Sequence, residues 1–340
     1  MNNKSTIIIA EAGVNHNGDF TLAKELIDVA ALSGADAIKF QTFDTKMVMT
    51  RSAVKAKYQL NTAKDSQSQF DMVKKLELPF KWHYDLLDHC KAQNIKFLST
   101  PFDKYSLDFL ADEILLDILK IPSGEITNGP FLLECALKKG NIILSTGMSY
   151  LGEVEKAISW IYEIWNTMVQ KPQLSVLHCV SSYPARIEDV NLRAIKAMEM
   201  AFRFPVGYSD HTIGAEIALA AVAMGAKVIE KHFTLDREME GPDHKASLEP
   251  EELEAMITAI RNVELAMGDG IKKPTKSEKP NIEVARKSIV AARPIHTGEL
   301  FCTENLSCKR PATGLSPMLW DKIVGIAAKK DYVKDEPIEI

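Results

Sequence analysis

Apolar residues in this chain fall in short unbroken runs, each ending in a polar cluster and followed by a stretch with helical spacing. The runs are Ile7–Ala10, Ala37–Gln41, Phe97–Ser99, Ile118–Ile121, Ile142–Ser145, Leu174–His178, Pro205–Tyr208 and Val228–Glu230. Runs of this length and composition predict strands buried on both faces, as in parallel sheets. The intervening stretches repeat their apolar residues every three to four positions. Leu22, Ala23, Leu26, Ile27 and Ala30 make such a stripe between an Asp19 cap and Gly34, and Leu253, Met256, Ile257, Ile260, Val263 and Met267 make another beginning near Pro250. Further helices are predicted over Leu86–Ala92, Leu151–Met168 and Ile213–Met224, the last ended by Gly225. Residues 206–236 therefore read as one βαβ unit.

Strand followed by helix, repeated through about 270 residues, predicts an α/β (β/α)₈ TIM barrel, for which about 250 residues is typical. A doubly wound open sheet is the alternative, but no GxGxxG follows the first run. The polar excursion Thr42–Gln69 is long enough to read as a functional loop. After Gly270 the lysine- and proline-rich IKKPTKSEKPNIEV loses the apolar period and reads as a linker. Three parts follow: a barrel over residues 1–270, a linker over 271–284 and a small β-rich domain over 285–340. The small domain has one predicted helix, Ser316–Ile323. Its few large apolar residues (Phe301, Leu306, Leu315, Met318, Leu319, Trp320 and Ile323) promise only a modest core.

Composition narrows the partners. The 340 residues are 46% hydrophobic, enough for a full core, and carry a net charge of −5, against the basic face that nucleic acid requires. The five cysteines (Cys90, Cys135, Cys179, Cys302 and Cys308) have no CxxC spacing and suit reduced thiols. The run TIIIAEAGV is too short for a membrane span and no signal-peptide pattern surrounds it, so no membrane partner and a cytoplasmic location are expected.

In a (β/α)₈ barrel the C-terminal strand ends carry the chemistry. Here they would present Glu11; Lys39 and Gln41; Ser99 and Thr100; Lys120, Ser123 and Glu125; Ser145 and Thr146; His178 and Ser181; Ser209 and His211; and His232. His211 and His232 follow neighbouring strands. They are either two unrelated loop histidines or a metal pair with open positions, neutral imidazole being the commonest ligand for transition metals. Lys39 and Lys120, with the hydroxyls of Thr100, Ser123, Ser145 and Ser209, suit a phosphate or phosphate-plus-carboxylate ligand, because a buried lysine requires an anion. Glu11, Glu125 and Asp243 could supply acid/base or sugar-hydroxyl contacts. His178, within SVLHC, reads as a satisfied core histidine, and His16 as a cap for the following helix.

Taken together, IAEAGVNHNGD, AIKFQTF, YQLNTAKDSQ, FLSTPFD, LKIPSGEITN, ILSTGM, VGYSDHT, IEKHFTLD, GPDHKASLEP and KRPATG, in this order along almost the whole chain, resemble the bacterial sialic acid synthases. That resemblance implies a (β/α)₈ barrel followed by an antifreeze-like (SAF) domain. It also implies condensation of phosphoenolpyruvate with N-acetylmannosamine to give N-acetylneuraminate and phosphate. The alternative sugar is 2,4-diacetamido-2,4,6-trideoxymannose, giving legionaminate. By the same resemblance His211 and His232 would hold a divalent metal, Mn²⁺ first, with Mg²⁺ or Co²⁺ as alternatives. Lys39, Thr100, Lys120, Ser123, Ser145 and Ser209 would hold phosphoenolpyruvate. Gln41, Asn61, Glu125, Tyr183 and Asp243 would touch the sugar, and Glu11 would be the catalytic glutamate. Arg310 would reach into a partner subunit's site to bind the N-acyl group, in a domain-swapped homodimer. In LHCVSSYPA, Ser181 and Ser182 stand where many relatives have Asn or Glu, and KRPATG departs from a common KRPGNG. Two rivals remain: a metal-dependent pyruvate aldolase on the same barrel, and a non-catalytic sugar- or ice-binding protein.

Overall fold

A computed structural model describes residues 5–53 and 68–340. The chain divides into two compact units, Met1–Gly268 and Asp269–Ile340. In the first, eight parallel strands form one sheet: β1 (Ile7–Gly13), β2 (Ala37–Thr42), β3 (Lys96–Pro101), β4 (Ile118–Ile121), β5 (Asn141–Ser145), β6 (Leu174–Cys179), β7 (Val206–Asp210) and β8 (Val228–His232). Hydrogen-bonded order runs β3-β2-β1-β8-β7-β6-β5-β4, and β3 lies against β4, closing the barrel.

Strand alternation builds the barrel interior in layers. Ile9, Ala37, Leu98, Ile118, Ile143, Leu177 and Val228 form an apolar inner cluster. Gly207 completes that layer from β7 without a side chain: a Cβ there would come within 2.4 Å of the Val228 carbonyl oxygen and 2.6 Å of Leu177 Cδ2. Two residues further along each strand the interior turns polar: Glu11, Lys39, Thr100, Lys120, Ser145, Cys179, Ser209 and Glu230. The opposite face of the strands, with Ile8, Ala10, Ile38, Phe40, Leu119, Ile121, Leu144, Val176 and Ile229, is buried beneath the helices.

Several boundaries differ from the sequence expectation. The predicted helix Ile213–Met224 begins later, at Glu216, because Gly214 turns the chain at φ +79° and leaves Ile213 exposed. Among the described residues, the segment between β2 and Lys75 holds two short helices, Thr45–Val48 and Gln69–Lys75. Lys279–Ala285, mostly within the lysine-rich segment read as a linker, is helical; just before it, the Thr275 hydroxyl and N–H both donate to Glu278 Oε2. No apolar face marks that helix, since none of its residues is buried, so hydrophobic periodicity could not reveal it.

The second unit pairs β9 (Ser288–Ala291) antiparallel with β10 (Leu306–Lys309). Its core gathers Ile289, Ala291, Ile295, Phe301, Leu306, Ile323, Ala328, Tyr332 and Ile338. The predicted helix Ser316–Ile323 is split into a 3₁₀ turn, Pro317–Leu319, and one helical turn, Trp320–Ile323. Met318, expected in the core, is exposed.

Candidate active site

The polar interior layer opens into a cavity of about 340 Å³ at the C-terminal end of the barrel. Its lining includes Glu11, Lys39, Gln41, Thr100, Lys120, Ser123, Ser145, Tyr183, Ser209, His211, His232 and Asp243. Of the other residues singled out in the sequence, Asn61 lies outside the described residues. Glu125 is not in the lining: its 3₁₀ turn, Ser123–Glu125, leaves Oε2 accepting a 2.6 Å bond from Asn128 Nδ2. Arg310 is exposed on the second unit. His178 is held by the Val190 carbonyl oxygen, 2.6 Å from Nε2, on the helix side of β6, as its apolar surroundings predicted. His16 does not cap the helix Phe20–Leu32; Asp19 does, accepting from the Thr21 and Leu22 N–H groups, while His16 Nδ1 takes the Gly18 N–H.

Both lysines are all but inaccessible and come with carboxylates. Lys39 Nζ stands 2.7 Å from Glu11 Oε2, 3.7 Å from Glu230 Oε2 and 2.9 Å from Thr100 Oγ1, to which it donates. Lys120 Nζ is 3.5 Å from Glu230 Oε1, which also accepts from Ser209 Oγ at 3.0 Å. Glu230 is the participant that the sequence reading missed. It follows Val228 and precedes His232 by two, so strand alternation alone puts all three on one face. A carboxylate in the middle of a run buried on both sides was the available signal.

Electrostatics separate the two acids. Burial pushes the Glu11 carboxyl up to about 7, with Glu230 adding to the rise and Lys39 opposing it. Burial also penalises Glu230, but Lys120 and Lys39 outweigh that and hold it down at about 2. Lys120 is lowered by burial; Lys39 is raised, because Glu11 and Glu230 together overcome its desolvation. One acid held low, one acid raised toward neutrality and two ammonium groups leave the cluster close to neutral, with spare positive charge whenever Glu11 is protonated. Ser145 Oγ and Glu230 Oε2 are buried without a hydrogen-bond partner. Such atoms are costly to leave unpaired and mark where a polar ligand belongs.

Next to this cluster the His211 and His232 rings lie with centroids 5.5 Å apart. The Tyr183 ring lies 4.1 Å from that of His211, tilted by 32°, with its hydroxyl 3.1 Å from Nε2. His211 Nδ1 donates to the Val180 carbonyl at 2.7 Å, which fixes the tautomer and leaves Nε2 as the acceptor. His232 Nδ1 is buried without a hydrogen-bond partner, 4.0 Å from Asp243 Oδ2. Burial, together with His211 and Lys39, holds the His232 imidazole well below its usual value and so neutral. Burial raises Asp243 to about 6. An orphaned neutral imidazole beside a second imidazole, whose Nε2 meets the Tyr183 hydroxyl, offers two nitrogen donors that fit a divalent cation. Among the described residues no cluster of three or more histidine, cysteine or carboxylate groups is gathered around one point. The protein would thus supply few ligands and leave open positions for substrate or water.

Another part of the lining is apolar. Val14, Phe43, Val48, Met49, Met72, Val73, Leu76 and Phe102 form it, drawn largely from the segment after β2. The excursion read as a functional loop therefore does contribute to the cavity.

A closed parallel barrel with buried lysines, carboxylates and an imidazole pair converging at its C-terminal face is the framework of an enzyme acting on a small polar substrate. The particular family follows from comparison: residues 26–272 match the NeuB family model and residues 286–339 match the SAF domain. The chain belongs to the NeuB family. It is 54% identical to an N,N'-diacetyllegionaminic acid synthase from Campylobacter jejuni, covering 98% of this chain and 99% of the relative. A Legionella pneumophila protein of the same description is 47% identical, over 94% and 89%. The human N-acetylneuraminate-9-phosphate synthase is 33% identical, over 98% and 92%. Among solved structures, an N-acetylneuraminic acid synthetase from Leptospira borgpetersenii, in complex with citrate, superposes with a TM-score of 0.71. It is 38% identical, over 83% of this chain and 91% of that one.

Proposed function

We propose that this chain condenses phosphoenolpyruvate with the open-chain aldehyde of a 2,4-diacetamido-2,4,6-trideoxyhexose, giving a nine-carbon legionaminate-type acid and inorganic phosphate. The observation that carries the reading is the division of the cavity into a charged end and an apolar wall. Phosphoenolpyruvate is small and strongly anionic, and belongs with Lys39, Lys120 and the hydroxyls of Thr100, Ser123, Ser145 and Ser209. A sugar bearing two acetamido methyls and a deoxygenated terminal carbon suits the wall of Val14, Phe43, Val73 and Phe102 better than one with a hydroxylated tail. The high identity to two legionaminic acid synthases supports the same choice.

In this reaction the methylene carbon of phosphoenolpyruvate attacks the aldehyde carbon, forming the new carbon–carbon bond. Water adds to the cationic carbon so generated, and the tetrahedral intermediate expels phosphate by carbon–oxygen cleavage. Lys39 and Lys120 neutralise the phosphate through both steps, worth most in a site this dry. Glu11, titrating near neutrality beside Lys39, can give a proton to the aldehyde oxygen and take one from the attacking water. Glu230 stays ionised and keeps both ammonium groups in place. His211 and His232 would hold a divalent cation, Mn²⁺ by preference, which when bound supplies Lewis-acid polarisation of the aldehyde oxygen. Asp243 and Gln41 border the space left for the sugar.

A competition assay between N-acetylmannosamine and the diacetamido-trideoxy sugar decides the substrate. The expected result is a kcat/KM at least about tenfold higher for the deoxy sugar, the scale of one or two methyl-sized contacts. Equal or better turnover of N-acetylmannosamine would return the chain to N-acetylneuraminate synthesis.

The enzyme is proposed to work in the cytoplasm, where phosphoenolpyruvate is available; no described helix is long and apolar enough to cross a membrane. We also propose a homodimer with exchanged second units, Arg310 of each chain serving the partner's barrel. Mixing an Arg310→Ala chain with a Glu11→Ala chain, after subunit exchange, should then restore activity, because one site per dimer keeps both residues. A mixture no more active than its parents would assign Arg310 to its own barrel.

A further inference from the structure

Asp210 and Lys231 are register partners on the last rung between β7 and β8. Both side chains have zero exposure, the one ion pair among the described residues of which this is true. Neither residue lines the cavity; the alternation that aims Ser209 and Glu230 inward places this pair on the helix side of the barrel wall. Lys231 Nζ donates to Asp210 Oδ2 at 2.8 Å and to the Thr212 carbonyl oxygen at 2.5 Å. Asp210 Oδ1 accepts from the Thr212 N–H at 2.9 Å and from its hydroxyl at 2.8 Å.

The residues bound into this knot bracket the imidazole pair. His211 sits between Asp210 and Thr212, both tied to Lys231, and Lys231 itself immediately precedes His232. The backbone on both sides of one histidine is thereby fastened to the residue that carries the other. A buried ion pair is a poor source of stability, since apolar residues of similar size often serve as well or better; what it provides is a fixed arrangement. Here that arrangement is the spacing of the two imidazoles.

We propose that Asp210 and Lys231 are positioning residues that hold His211 and His232 at the spacing needed to bind a divalent cation. The inference rests on the metal reading given above. It places the control of metal affinity on the helix side of the wall, in side chains that touch neither cation nor substrate.

The test uses the full chain stripped of metal and titrated with Mn²⁺, the free ion being followed by electron paramagnetic resonance. In the double variant Asp210→Asn/Lys231→Met both charges are gone while the acceptor for Thr212 remains. It should fold and bind Mn²⁺ about 10–100-fold more weakly, the scale for groups that orient metal ligands. The KM for phosphoenolpyruvate should stay close to that of the wild type, and turnover should recover as Mn²⁺ is raised. The charge-retaining Lys231→Arg, which alters the reach of the knot without leaving Asp210 unpaired, should weaken Mn²⁺ in the same direction and serves if the double variant does not fold. A folded variant of either kind with wild-type Mn²⁺ affinity overturns the inference and leaves the metal reading standing. A wild-type chain that binds no divalent cation removes the metal reading and this inference with it.

Discussion

Two clusters of buried lysine and carboxylate lie on opposite sides of the same barrel wall, one residue apart in sequence. On the helix side Lys231 meets Asp210 and the Thr212 carbonyl, and Asp210 is fully engaged in return. On the cavity side Glu230 is shared by Lys39 and Lys120 and Glu11 pairs with Lys39, at distances from 2.7 to 3.7 Å, and Glu230 Oε2 and Ser145 Oγ have no hydrogen-bond partner. A saturated cluster has nothing further to gain from a ligand and behaves as architecture. An unsaturated one holds desolvated charge with capacity left over, and a polar ligand entering it can supply what folding did not.

The same substitution on the two sides should therefore act on different properties. Lys231→Met leaves Asp210 ionised and unpaired in a dry environment, and should cost about 3–5 kcal/mol of stability. Chemical denaturation measures it, and a loss below about 1 kcal/mol would mean that water or a neighbouring group compensates Asp210. Lys120→Met should leave the denaturation midpoint nearly unchanged but lower kcat/KM for phosphoenolpyruvate by about 10²–10³-fold, the usual cost of removing one electrostatic stabiliser. Equal effects on phosphoenolpyruvate and sugar would make Lys120 a structural residue and erase the contrast.

Glu11 sharpens it through pH. Its carboxyl is raised from 4.5 to about 7 in the folded chain. Between those values the native state binds more protons than the unfolded state, so stability from this group is fully present below about pH 4.5 and is lost as pH rises through 7. Glu11→Gln cannot titrate. From pH 5 to pH 8 the wild type should thus lose stability relative to Glu11→Gln, by on the order of 2 kcal/mol. A difference that stays flat with pH would place Glu11 in the saturated class with Asp210.

The barrel was legible because its strands are buried on both faces, so that Ile7–Ala10 or Ile118–Ile121 stands out as an unbroken apolar run. The cavity lining was legible at the strand ends: Lys39, Lys120, Ser145, Ser209, His211 and His232 were named from the chain and all line the cavity. Glu125 was named on the same ground, yet the turn Ser123–Glu125 directs it to Asn128, a local geometry that residue order does not disclose.

What the chain determined by itself is the sequence of strands and helices and the polar character of the strand ends, because both follow from local periodicity. Which side of the wall each charge faces was decided by closure of the barrel. Glu230 and Lys231 are adjacent, both buried and oppositely charged; alternation in VIEKH puts them on opposite faces but does not say which partners each one meets. Their difference comes from the register of β8 against β1 and β7, which sets Glu11 beside His232 and Asp210 beside Lys231. The ion pairs that Glu230 makes with Lys39 and Lys120 join residues far apart in the chain, where only the folded barrel brings the acid within reach of its lysines.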